Sequence, residues 1–309
     1  MREELLISLF LVFIVLFISA FIFYEFFPRE EKLFVGVEEN NTGIIGENVT
    51  EDFPDGALFY PNLRFPQRII SFHIEENCNE NRANLIRKAF EILDNETILN
   101  FIEMEKGNIE VTCGEKETPQ EEYFIAGEGG PISIINASNY YVITNGTVLL
   151  YRDNKCPIPI VGIHEILHVL GFKHSLNKKS IMYEISDCNQ KITKEIVDII
   201  NNNYKTETLP DLIIKKASAV KYGNRLYFEV EVFNAGLSSA INSTVGIFAD
   251  GKELAKYDVE SLDIGSGRVI IVSNLRSSGE IKEILFFADI LNQVYEIDEG
   301  NNGKKLIVV

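Results

Sequence analysis

Residues 164–174 read His-Glu-Ile-Leu-His-Val-Leu-Gly-Phe-Lys-His. A helix advances about 3.6 residues per turn, so His164 and His168, four apart, lie on one face. Two imidazoles so placed can hold one tetrahedral Zn²⁺, with Glu165 beside them as a general base. A straight helix cannot bring a third ligand to the same ion. Gly171 tolerates a left-handed helix end, so the chain can turn back and deliver His174. Three protein ligands leave a fourth position for water, the arrangement of a catalytic zinc and not a structural one. The bland reading is a buried helix with core histidines. With only four histidines in 309 residues, chance seldom assembles this pattern.

Ser180-Ile181-Met182-Tyr183 follows His174 after a short polar loop. Together these residues resemble the metzincin zinc proteases, whose H-E-x-x-H-x-x-G-x-x-H run is followed by a Met-turn. Ser175 after the third histidine, and the pair Met182-Tyr183, resemble the matrixin branch. The resemblance implies that His164, His168 and His174 bind zinc, that Glu165 is the catalytic acid/base, and that Met182 forms an apolar floor beneath the metal. It also implies that Ile132, Ser133, Ile134 and Ile135 form an edge strand that pairs with extended substrate. Three features depart from the pattern. Glu184 stands where matrixins usually carry Pro. No Pro-Arg-Cys-Gly switch is present, since no cysteine precedes Cys78. The one remaining histidine, His73, cannot by itself build the second, three-histidine zinc site of animal matrixins. Structural Ca²⁺ is compatible with the many carboxylates, but no pattern marks a site.

The elements that must position these residues are readable in outline. Arg68 to Ile74 is an apolar strand pattern. Asn79 or Asn81 can cap a helix reaching Ile102, with Leu85, Ile86, Ala89, Phe90 and Leu93 at helical spacing. Ile109 to Thr112 alternates as a strand, and Glu115 to Glu122 reads as an acidic, solvated loop. Tyr140 to Ile143 and Thr147 to Tyr151 flank Asn145-Gly146, a hairpin dipeptide. The active-site helix is predicted from about Pro159 to Leu170, and Thr193 caps a last helix over Lys194 to Asn203. Order and spacing fit the small mixed sheet and two long helices of a metzincin catalytic domain, here 53–206.

From 210 to 309 the chain changes character. Short alternating strands such as Leu226 to Val232, Thr244 to Phe248, Val269 to Val272 and Ile284 to Phe287 are separated by turn residues. About seven strands in ~100 residues predict an antiparallel β-sandwich. Pro210-Asp211-Leu212, Val232 to Gly236, Asp250-Gly251 and Glu296 to Asn302 resemble the CARDB modules, Ig-like domains of exported prokaryotic proteins. That resemblance implies a surface ligand without naming it. The fold class expected is thus an α+β protease domain followed by an all-β sandwich.

Leu5 to Tyr24 is apolar except for Ser8 and Ser19. At roughly 1.5 Å per residue this run matches a hydrocarbon core about 30 Å thick. It predicts a single membrane helix over 1–27, with a polar stalk over 28–52. The alternative is a cleaved signal peptide, but Phe26-Phe27-Pro28 offers no small-residue cleavage site. The formal charge of −17 argues against a nucleic-acid partner. The partners expected are protein or peptide substrates, the membrane, and a surface ligand. The four cysteines allow three pairings; Cys78–Cys113 with Cys156–Cys188 keeps both bridges local, and free thiols are the alternative. Sequons at Asn40, Asn48, Asn95, Asn136, Asn145 and Asn242 lean towards an exported face. The activity expected is peptide-bond hydrolysis outside the cytoplasm by zinc-activated water. The competing class is a surface adhesion protein with a vestigial metal site, against which an intact Glu165 argues.

Overall fold

The computed structural model describes residues 52–53, 56–115, 125–152 and 156–307. The predicted membrane helix, the stalk, the first two sequons and most of the acidic loop lie outside these residues. Among the described residues no helix is long and apolar enough to cross a membrane.

The first part is a mixed sheet with helices packed on one face. Its strands are β1 (Leu63–Arg64), β2 (Ile69–Ile74), β3 (Asn100–Glu103), β4 (Ile109–Cys113), β5 (Gly127–Asn136) and β6 (Tyr141–Leu150), in the order β1-β6-β4-β2-β3, with β5 antiparallel on β6 and the other pairings parallel. Helices α1 (Glu80–Glu96), α2 (Ile160–Val169) and α3 (Lys194–Asn203) complete it. Alternation along β4 buries Ile109, Val111 and Cys113 and turns Glu110 and Thr112 the other way. The buried side chains meet Ile86, Ala89 and Phe90 of α1 and Ile163, Ile166 and Leu167 of α2 in one core.

Two sequence expectations about these elements fail for physical reasons. The first helix, expected to reach Ile102, stops at Glu96. Thr97 takes an extended conformation, and both its N–H and its hydroxyl donate to the Leu93 carbonyl. Beyond it Asn100–Glu103 pairs with β2, where Ile69 to Phe72 supply parallel partners. The second failure is the Asn145-Gly146 hairpin. Both residues lie inside the unbroken strand β6, and the turn falls at Ala137 to Tyr140, where Ser138 takes φ 67°. Gly146 has a tertiary purpose: a Cβ there would fall 2.3 Å from Cγ1 of Val169 on α2. The helices are also shorter than the long pair expected, at 17 residues for α1 and 10 for α2.

The C-terminal part is a sandwich of two antiparallel sheets. One has the order β10-β9-β12-β13 and the other β11-β8-β7. The strands are β7 (Leu212–Tyr222), β8 (Arg225–Asn234), β9 (Ser243–Ala249), β10 (Lys252–Val259), β11 (Gly267–Arg276), β12 (Glu283–Phe287) and β13 (Gly303–Ile307). Leu226, Phe228, Val230 and Val232 alternate inward along β8 and meet Val245, Ile247, Ile284 and Phe286 of the facing sheet. A small third cluster of Ala137, Val142 and Leu237, with Ile135, Tyr140, Ile264 and Ile297 packed against it, joins the sandwich to the β5–β6 turn.

Candidate metal and catalytic site

The site begins with a helix that has almost no solvent face. Eight of the ten residues of α2 are buried, including His164 and Glu165, so apolar packing on all sides fixes its position. The helix ends at Gly171, which takes φ +98°. Phe172 N–H donates to Leu167 O and Gly171 N–H to His168 O, both at 3.0 Å, the pair of bonds that defines a Schellman ending. Segment 57–59 then clamps the turn: Phe59 N–H donates to Gly171 O and Lys173 N–H to Ala57 O. His174 follows directly from this clamped turn.

Three imidazole nitrogens converge. The Nε2 atoms of His164 and His168 are 3.0 Å apart, those of His168 and His174 3.1 Å, and those of His164 and His174 3.3 Å. A tetrahedral zinc with Zn–N near 2.0–2.1 Å places its ligand nitrogens about 3.3 Å apart, so the triangle fits the ion. The protons fit as well. Nδ1 of His164 lies 2.6 Å from Ile181 O, and Nδ1 of His168 lies 2.8 Å from Phe172 O. A carbonyl only accepts, so each Nδ1 carries the hydrogen and each Nε2 a lone pair. Two lone pairs at 3.0 Å repel unless a cation lies between them. Protonation is no remedy, because burial holds His164 down to about 4 and His168 down to about 3. Burial lowers His174 too, against the opposing charge of Glu184. The donor set suits Zn²⁺.

Glu165 is 7% exposed. Burial, and then the like charge of Glu128, push its carboxyl up to about 8 in the metal-free site. Strand β5 runs over it. A Cβ on Gly127 would lie 2.9 Å from Glu165 Cγ, and one on Gly129 would lie 2.2 Å from Glu165 O. The residues from Ile132 to Ile135 fall within β5, whose sole strand partner among the described residues is β6. Ile132 sits where the register shifts, and its side chain is 66% exposed.

Met182 is fully buried in the turn after His174. Its carbonyl accepts from Ser175 N–H at 2.8 Å, and its own N–H donates to Ser180 Oγ at 3.2 Å. The same turn carries Ile181, whose carbonyl orients His164. Cys78 is bonded to Cys113 and Cys156 to Cys188, and the described residues hold no free cysteine. The second bridge ties the entry of α2 to the segment after Met182, with Cα atoms 5.2 Å apart. Asn95, Asn136, Asn145 and Asn242 are all exposed.

Sequence reasoning missed the two orienting carbonyls and the close-approach role of Gly127 and Gly129. A carbonyl leaves no trace in residue type. The Gly129-Gly130 pair was the available signal for the second.

The matrixin family model matches residues 66–205, and the CARDB family model matches residues 209–305. Among solved structures, a CARDB domain from Pyrococcus furiosus, crystallised in complex with di-metal ions, shares 22% identity over 32% of this chain and 94% of its own, at a TM-score of 0.28. A cell-surface protein domain from Methanosarcina acetivorans shares 21% identity over 32% of this chain and 90% of its own, also at 0.28. No curated protein matches the chain.

Proposed function

For a chain whose residues 66–205 are a matrixin domain and whose residues 209–305 are a CARDB domain, we propose a zinc endopeptidase held at the outer face of a membrane. The convergence of three imidazole Nε2 atoms beside a buried carboxyl carries this reading. Zinc held by His164, His168 and His174 supplies Lewis acidity towards water and the scissile carbonyl. Glu165 takes the proton from the attacking water and passes it to the amine nitrogen as the C–N bond breaks. Backbone groups of β5 around Ile132 to Ile135 pair with an extended peptide, since this edge of the sheet carries no other strand among the described residues. The Ile181 and Phe172 carbonyls keep the His164 and His168 imidazoles in the tautomer that ligates.

In this reading 1–27 is a membrane helix, 28–52 a stalk, 53–206 the protease and 210–309 a module for a surface ligand. The apolar run from Leu5 to Tyr24 supports the anchor. The two disulfides and the exposed sequons support an oxidising, extracytoplasmic location.

The test pairs metal content with turnover on one sample. Glu165→Gln should retain its zinc and lose about 10²–10⁴-fold in peptide cleavage. His168→Ala should lose the zinc of the His164 centre and activity together. Undiminished cleavage by Glu165→Gln would overturn the assignment.

A further inference from the structure

The outer face of the catalytic sheet carries a second cluster of ligating groups. His73 on β2 and Glu75 just beyond it, two residues apart in extended chain, point to the same side. Glu110 on β4 is the register partner of His73. Neighbouring Ile74 and Val111 turn towards the core, so the three polar side chains share the face opposite it. One ligating atom from each lies within 4.8 Å of the other two.

The cluster is built and not merely adjacent. His73 Nδ1 lies 3.0 Å from Met104 O. The carbonyl can only accept, so Nδ1 carries the hydrogen and Nε2 is the nitrogen left to ligate an ion. His164 and His168 are oriented by the same device. Glu110 Oε1 accepts from Gly107 N–H at 3.3 Å. Both anchors come from the β3–β4 loop, and that loop is pressed onto β2: a Cβ on Gly107 would fall 2.5 Å from the Phe72 backbone. Glu103, the nearby carboxylate on β3, is committed to Arg87 through two contacts of 2.7 Å. His73, Glu75 and Glu110 thus offer one imidazole and two carboxylates, with two of the three held in place by backbone groups.

We propose that His73, Glu75 and Glu110 form a second metal site, separate from the His164 centre, for a divalent first-row transition ion. One borderline nitrogen and two hard oxygens suit Zn²⁺ or Mn²⁺, whereas Ca²⁺ favours an all-oxygen shell. Bound there, the ion clips β2 to β4 and pins the β3–β4 loop. It takes no part in peptide hydrolysis, so the inference stands whether or not the protease reading does.

Zinc counting tests it. The metal-free full chain is titrated with Zn²⁺ alone, and bound ions per chain are measured by mass spectrometry under native conditions. Wild type should hold two ions. His73→Ala and Glu110→Gln should each hold one, His168→Ala should hold one, and the His73→Ala/His168→Ala double variant none. Glu75→Gln alters only an exposed side chain, so it guards against a folding defect. It should weaken the second binding event by at least about tenfold with an unchanged circular dichroism spectrum. An ion count that His73→Ala leaves at the wild-type value, with no loss of affinity in Glu75→Gln, would overturn the proposal.

Discussion

Gly129 passes so close to Glu165 that a Cβ on it would lie 2.2 Å from the Glu165 carbonyl oxygen and 2.9 Å from its Cα. The edge strand is therefore laid directly on the active-site helix at the residue assigned as base. The neighbour is helix backbone, which cannot give way, so β5 must move instead. Gly129→Ala should lift the strand while leaving the three histidines in place. Peptide turnover should fall at least about 10²-fold, as expected for an angstrom-scale misplacement, with one zinc retained at the His164 centre. Gly130 has nothing within 4 Å of its Cβ position, so Gly130→Ala is the matched control. Equal activity in the two variants would show that the close approach does not matter.

Glu165 should also set a pH dependence in the metal-free protein. Its folded pKa is raised from 4.5 to about 8, mainly by burial. Its contribution to stability is then fully present below pH 4.5 and is lost as pH rises through 8. Glu165→Gln lacks this loss, so the chelated variant should gain on wild type as pH rises from 4.5 to 9. Thermal melting of both proteins in chelator gives the profile. Zinc supplies an opposite charge, so the difference should shrink on adding it. A constant offset across the range would count against a buried, neutral Glu165.

The histidines act in the opposite sense. His164 and His168 have folded values near 4 and 3 against 6.5 for a free imidazole, chiefly through burial. Their contribution is present above pH 6.5 and is lost as pH falls towards 3. In chelator, His164→Gln should flatten the acid limb of the melting profile without touching the alkaline one. Retention of the full acid limb would place its origin elsewhere.

The convergence of the three histidines was legible because residue type and spacing coincide there: His164, His168, Gly171 and His174 each have one reason to be where they are. Element type was readable wherever burial alternates, as along β4 and β8. It failed at Asn100–Glu103, where Phe101 is the one buried residue and no alternation remains to read. It failed again at Asn145-Gly146, where the glycine answers to Val169 across the core and not to a local turn. Val142 and Leu237 are 95 positions apart, and nothing local to either shows that they meet.

The Cys156–Cys188 bridge closes a separation of 32 residues. In the chain-entropy picture such a loop stabilises by roughly 3–4 kcal/mol. It also joins the two segments that hold His164: the entry of α2 and the turn bearing Ile181. Cys156→Ser/Cys188→Ser should lower the unfolding free energy by about that amount and weaken zinc binding. Cys78→Ser/Cys113→Ser, which unties α1 from β4, should cost similar stability with a smaller effect on zinc. Denaturant unfolding with zinc competition on both variants separates the two roles. Equal loss of zinc affinity in both would leave no local role for the second bridge.

The sandwich touches the far end of β5. Ala137, Val142 and Leu237 are fully buried together, with Ile135 of β5 and Ile264 packed around them. Gly265 takes φ +67°, and a Cβ on it would lie 2.4 Å from Ile135 Cγ2. Ile135 belongs to the segment assigned to substrate pairing, so this contact can set where that strand sits. Leu237→Asp buries a charge among apolar side chains and should part the two surfaces. If the contact is a buttress, short-peptide turnover should fall while zinc content and both disulfides stay intact. If the sandwich only presents surface-bound substrates, short-peptide turnover should be unchanged and cleavage of large substrates alone should drop. Measuring both substrates on Leu237→Asp, with Ile241→Asp at a 64% exposed position as control, decides between a structural and a purely delivering role for the C-terminal module.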